Sequence, residues 1–211
     1  MQKLILLPLL VLLVGCNKAY YSTLEAFGVE KRDVLVDKVG EAKAAQTAAA
    51  EQFQTTFERF QEVSGFQGGD LEAKYDKLED ELNAAKRRAA RVTDRIDTVA
   101  GVADDLFEEW EDELDEYDSA ELRRTSQEQL RTTRGDFNDL LRTMRAAEAR
   151  MDPVLRKFND YVLALKHNLN ARAIGSLSGV AAEIDGEVAA LIADMQKSVA
   201  EAEAFLEQMG G

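Results

Sequence analysis

Apolar residues recur along most of this chain at alternating intervals of four and three. From residue 71 to 117 one side reads Leu71, Tyr75, Leu78, Leu82, Ala85, Ala89, Val92, Ile96, Val99, Ala103, Leu106, Trp110, Glu113 and Tyr117. A 3.5-residue repeat held over about six heptads predicts a long helix that supercoils with its neighbours. Glu113 breaks the apolar character, and Leu114 beside it can take over. The preceding segment follows the same alternation through Val39, Ala42, Gln46, Ala49, Phe53, Thr56, Phe60 and Val63, with Phe57 widening the stripe. Leu24, Phe27, Val34 and Leu35 continue it upstream in a shifted phase. A third stripe runs from Leu122 through Leu130, Phe137, Leu140, Met144 and Met151 to Phe158 and Leu165. A fourth runs from Leu177 through Ile184, Val188, Leu191 and Met195 to Phe205 and Met209. No segment alternates with period two over a useful length, so no strand is expected.

The breaks between stripes are short. Gly65-Phe66-Gln67-Gly68-Gly69-Asp70 offers glycines to end one helix and an aspartate to cap the next. Asp118-Ser119 is the second break, with Glu121 in capping-box position after Asp118. The third lies between 167 and 176, where Asn168, Asn170, Gly175 and Ser176 disturb the pattern. Asp152-Pro153 could open a new helix. The apolar phase runs on through it from Met151 to Val154 and Phe158, which favours a kink. The expected fold is all-α: an elongated antiparallel four-helix coiled-coil bundle with short loops. Its helices fall near 20–64, 71–117, 120–167 (kinked near 153) and 174–208, and the bundle domain occupies 20–211.

The first sixteen residues follow different rules. Lys3 is a positive start, Leu4 to Val14 is an apolar run interrupted by Pro8, and Gly15-Cys16 closes it. This is the layout of a secretory signal, and it is too short for a spanning helix. Cys16 after a small residue resembles the lipobox of bacterial lipoproteins. That resemblance implies cleavage of residues 1–15, acylation of Cys16 and a lipidated anchor over 16–19. Asn17, where an Asp would imply inner-membrane retention, then implies the inner leaflet of the outer membrane, facing the periplasm. Tyr20 and Tyr21 follow the anchor and suit either the headgroup layer or packing on the first helix. Cys16 is the one Cys of the chain, so no intrachain disulfide can form.

Composition narrows the function classes. The net charge is -14, and loss of Lys3 would make it one unit more negative. Such a surface disfavours nucleic acid and flat adhesion to anionic lipid. Ten carboxylates crowd residues 104–118, a solvated face more than a cation site, since nothing there has the loop of an EF-hand. Lys86, Arg87, Arg88, Arg91 and Arg95 form a basic patch, expected to be an ion-paired helix face. His167 is the one His, and Ala164 stands where the Glu of a Glu-x-x-His di-iron motif would be. No nucleophile elbow, P-loop or dinucleotide fingerprint is present. The expectation is a non-enzyme with no metal and no cofactor. Phe66, between glycines at the tip far from Cys16, is a candidate partner contact, or else a lid on the bundle end.

The stretch Tyr20-Tyr21-Ser22-Thr23-Leu24-Glu25-Ala26-Phe27-Gly28-Val29-Glu30-Lys31-Arg32-Asp33 resembles a Gram-negative lipoprotein family known as a domain of unknown function with coiled coil, as do Gln52-Phe53 and Phe57-Glu58-Arg59-Phe60. The resemblance implies an envelope location and no mechanism. The expected role is a lipid-anchored periplasmic interaction or spacer protein with an envelope-protein partner. The alternative is a membrane-shaping bundle similar to a BAR module, which the acidic charge disfavours. Small stripe residues such as Ala42, Ala49 and Ala181 permit close packing within one chain or in a homo-oligomer.

Overall fold

The computed structural model describes residues 30–66, 68, 70–166 and 171–210; between 171 and 179 it describes only the side chain of Ile174. The described residues form four long α-helices, α1 (Lys31–Ser64), α2 (Leu71–Glu113), α3 (Ala120–Lys166) and α4 (Ala171–Gly210), with a 3-10 turn at Leu114–Glu116. Among the described residues there is no strand. At ~1.5 Å per residue the helices run some 50–70 Å. Each helix packs on the next and α4 closes on α1.

Polar contacts fix the directions. Lys31 meets Glu109 at 3.0 Å and Lys74 meets Glu62 at 3.8 Å, so α1 and α2 are antiparallel. Lys86 donates to Asn159 at 2.7 Å and Arg134 pairs with Glu111, which sets α2 against α3 in the same sense. Thr143 donates to Glu201 at 2.6 Å, and Lys43 meets Glu203 at 3.3 Å across the α1–α4 seam. Glu30, the 114–119 turn and Gly210 therefore share one end, and Gly65 and Asp70 lie at the other.

The helix ends follow local chemistry. The Asp70 carboxylate accepts the Ala73 N–H at 3.0 Å, which caps α2 as its sequence suggests. At α3 the cap is Ser119, whose Oγ accepts the Leu122 N–H at 3.3 Å, rather than Asp118. The helix begins at Ala120, so the residue just before it takes the capping position. Gly68 has φ +147°, a backbone region that only glycine enters without strain. Helix α2 stops at Glu113, short of residue 117, where its stripe turns acidic and Leu114 carries the apolar contact into the 3-10 turn. Pro153 lies inside α3, so residues 152–153 are not a break. Lacking an N–H, Pro153 leaves the carbonyl of Ala149 without its usual helical donor. The described first helix starts at Lys31, with Glu30 extended before it, so the expected helix from residue 20 to 64 is not continuous; residues before Glu30 and residues 167–170 lie outside the described residues.

The core is one continuous column. Phe60 packs edge-on to Phe158 with ring centres 5.9 Å apart and lies 5.9 Å from Tyr161, near the Gly65 end. Phe107, Phe137 and Phe205 form a second aromatic group toward the other end, at 5.7 and 6.0 Å. Between them the waist is lined by small residues, Ala42, Ala49, Ala85, Ala89 and Ala147, which let the helices approach closely. Each large side chain so buried contributes ~1.5–3 kcal/mol.

A polar pair joins α4 to α1 within this column. Fully buried Ser198 donates to Gln46 Oε1 at 2.9 Å, and Gln46 Nε2 has no partner among the described residues. A polar pair at core positions of a heptad repeat fixes register at some cost in stability. Ser198→Ala strands the Gln46 oxygen and should cost about 1–3 kcal/mol in urea unfolding. Joined with Gln46→Leu the loss should largely vanish, because an apolar pair has no unmet hydrogen bond. Equal losses in the single and double variants would show that the pair is not coupled.

Candidate functional site

The acidic segment lies at the Glu30 end, along the last turns of α2 and the turn that follows. Most of its carboxylates are exposed. Glu109 pairs with Lys31, Asp115 with Arg123 and Glu111 with Arg134. The Arg134 guanidinium also lies 5.1 Å from the Phe107 ring centre and donates to the Phe107 carbonyl at 3.2 Å. Arg123 and Arg134 thus offset part of the acid across the turn, whereas Arg131 pairs with Glu128 on its own helix. Among the described residues no group of three or more His, Cys, Asp or Glu is placed to hold a metal ion.

Hydrogen bonds from Lys38, Arg134 and Arg131 hold the carboxyls of Glu41, Glu111 and Glu128, respectively, below the ordinary carboxylate range. Folded-state values that are depressed contribute stability above the unfolded carboxylate value and lose it as pH falls. Lys157 and Tyr75 are among the groups that move the other way. Hydrogen bonds from Lys157 to Glu183 and Glu187 raise the lysine, and burial, reinforced by Glu79, raises the Tyr75 phenol. Their contributions are complete below the ordinary lysine and tyrosine values and fade as pH rises past them. The urea midpoint should therefore be flat near neutrality, fall below about pH 4.5, and fall again above about pH 10. A midpoint that rose on acidification would contradict these pairings.

Among the described residues the basic patch is only partly ion-paired. Arg95 reaches Glu41 at 3.1 Å and Lys86 donates to Asn159. Arg87, Arg88 and Arg91 are exposed on the outer side of α2. Phe66 is half-buried and packs against the core, with its N–H donating to the Val63 carbonyl at 3.2 Å. Cys16 and His167 lie outside the described residues.

Several hollows lie along the bundle, among them two formed where α4 meets its neighbours. A cleft of about 870 Å³ opens at the Glu30 end, lined by Leu106, Trp110 and Met209 with Lys31, Glu109 and Thr133. A shallower groove of about 480 Å³ follows the α1–α4 seam, lined by Ala50, Ile192, Met195 and Val199, with Gln46 beneath. Neither hollow was legible in the heptad pattern. The seam has a sequence signal all the same: Ile192, Val199 and Leu206 repeat at seven-residue spacing beside the main stripe of α4. Among the described residues no helix is long and apolar enough to cross a membrane.

A family model described as "Protein of unknown function (DUF2959)" matches residues 20–209. The chain belongs to the DUF2959 family. No curated protein matches the chain, and no solved structure does. The DUF2959 match begins at residue 20, upstream of α1, so the segment before Lys31 is part of the family's common unit. Family membership agrees with the resemblance carried by residues 20–33 at the level of a domain of unknown function.

Proposed function

We propose that this DUF2959 protein is a non-enzymatic, lipid-anchored interaction or spacer protein of the cell envelope, held by acylated Cys16 at the periplasmic face of the outer membrane. The observation that carries the reading is the run from Lys3 through Leu4–Val14 to Gly15-Cys16. The segment between Cys16 and Glu30 is short, at most some 50 Å when fully extended. The Glu30 end of the bundle would then face the membrane, and the Phe66 loop would stand roughly 50–60 Å away. A rigid rod with a continuous core suits a spacer, because its length does not change under load. The half-buried Phe66 ring, on a short loop at the distal tip, is the proposed contact for an envelope-protein partner. Aromatic side chains, Phe among them, are enriched at the cores of protein–protein interfaces.

The test is a photo-reactive residue placed at position 66 and, in separate variants, on exposed helix faces, crosslinked in living cells. One dominant envelope-protein adduct supports tip docking. Adducts formed only from helix faces, with none from position 66, would overturn it in favour of lateral assembly.

A further inference from the structure

The cleft at the Glu30 end is an unfinished piece of core. Leu106 and Met209 on its wall are buried, and Trp110 beside them is half-buried. Two of the three exposed large hydrophobic side chains among the described residues belong to the same end, Tyr117 at 39% and Leu122 at 58% exposure. Helix α1 begins too late to cover them. Its first turn is pinned there, with Lys31 on Glu109 and Arg32 donating to the Met209 carbonyl. Glu30, in extended conformation, lines the cleft where the chain enters α1.

The chain just before this point has what the cleft lacks. From Ala19 to Val29 the one charged residue is Glu25, in a chain that is 31% charged overall. The segment carries Tyr20, Tyr21, Leu24 and Phe27, and the DUF2959 match includes all four. We propose that residues 20–29 are the occupant of this cleft, with Leu24 and Phe27 against Leu106, Trp110 and Met209. The mixed walls suit such a guest: apolar side chains for Leu24 and Phe27, and Thr133 and Gln129 for tyrosine hydroxyls. A lipid surface is the weaker occupant, since Glu108, Glu111 and Asp112 are exposed on the neighbouring turns and would face anionic headgroups. The segment serves as an N-terminal plug that completes the bundle, and the inference holds whether or not Cys16 is acylated.

Trp110 is the one Trp of the chain, so its fluorescence reports on this cleft alone. The full chain in mild detergent, with L24D/F27D, should show acrylamide quenching of Trp110 raised roughly twofold or more and a red-shifted emission, as the indole moves from packed to wet surroundings. Unchanged quenching with the helix content intact would overturn the proposal. Should that variant unfold, a photo-reactive residue at Phe27 decides. Crosslinks to the α2 peptide around 106–113 or the α3 peptide around 129–133 support the plug. Crosslinks to detergent or lipid alone, or to another copy of the chain, overturn it. Loss of the anchor reading would leave these results unchanged.

Discussion

Phe60→Ala should lower the unfolding free energy by about 3–5 kcal/mol, among the largest effects a single substitution can have in this chain. Phe60 has no exposed surface. It stands edge-on to Phe158 and tilted against Tyr161, so truncation removes both the buried area and two aromatic contacts. The site cannot collapse to fill the void, because Thr56 on the preceding turn is tied to α2. Its Oγ donates to the Glu81 carbonyl at 3.1 Å, and Gln52 Nε2 donates to Glu81 Oε2 at 2.6 Å. The cavity therefore persists and adds its own penalty to the lost transfer energy. Urea unfolding followed by far-UV circular dichroism checks this. Phe66→Ala, at a half-buried loop position, should cost far less. A reversed order would mean that the aromatic group around Phe60 is not the clamp of that end.

Cys16→Ser should have the largest effect on location and none on the bundle. Fatty-acid labelling of the protein in cells should fall to background. Each buried methylene contributes ~0.8 kcal/mol, and more than one acyl chain gives stable anchoring that the acidic protein surface would not replace. The urea midpoint of the purified bundle should be unchanged. A lost label with an unchanged fold separates anchoring from stability. A label that persisted in Cys16→Ser would place any acylation elsewhere, on a chain that has no other thiol.

The fold was legible because a heptad pattern is a statement about burial. From Tyr75 to Leu106 every residue of the expected α2 stripe is buried. The pattern undercounted the core where a helix touches two neighbours at once: Ala45, Val102, Phe107, Leu155 and Val162 are buried beside the seam. It overreached at the Glu30 end, where Leu122 falls in register yet is exposed, since the described α1 does not extend far enough to cover it. Ser198 was readable from the spacing alone, at the core position between Met195 and Ala202, but a serine carries no hydrophobic signal. Its meaning emerges only once α1 brings Gln46 within 2.9 Å.

Sites were less legible than fold. Helical spacing says which side chains face inward, not how two helices end relative to each other, and the cleft beside Trp110 is a product of unequal ends. Phe66 illustrates the same limit. Its glycine neighbours announced a tip, and packing against the core settled its half-buried placement. The acidic run was visible at once, whereas the division of Arg123, Arg131 and Arg134 between partners across the turn and partners on their own helix depended on side-chain direction.

If a lipid on Cys16 holds this bundle in the envelope, intact-mass spectrometry of the protein extracted from cell membranes should show a chain that begins at Cys16 and carries the added mass of acyl chains on its first residue. A chain that still begins at Met1, or one with an unmodified Cys16, would contradict it.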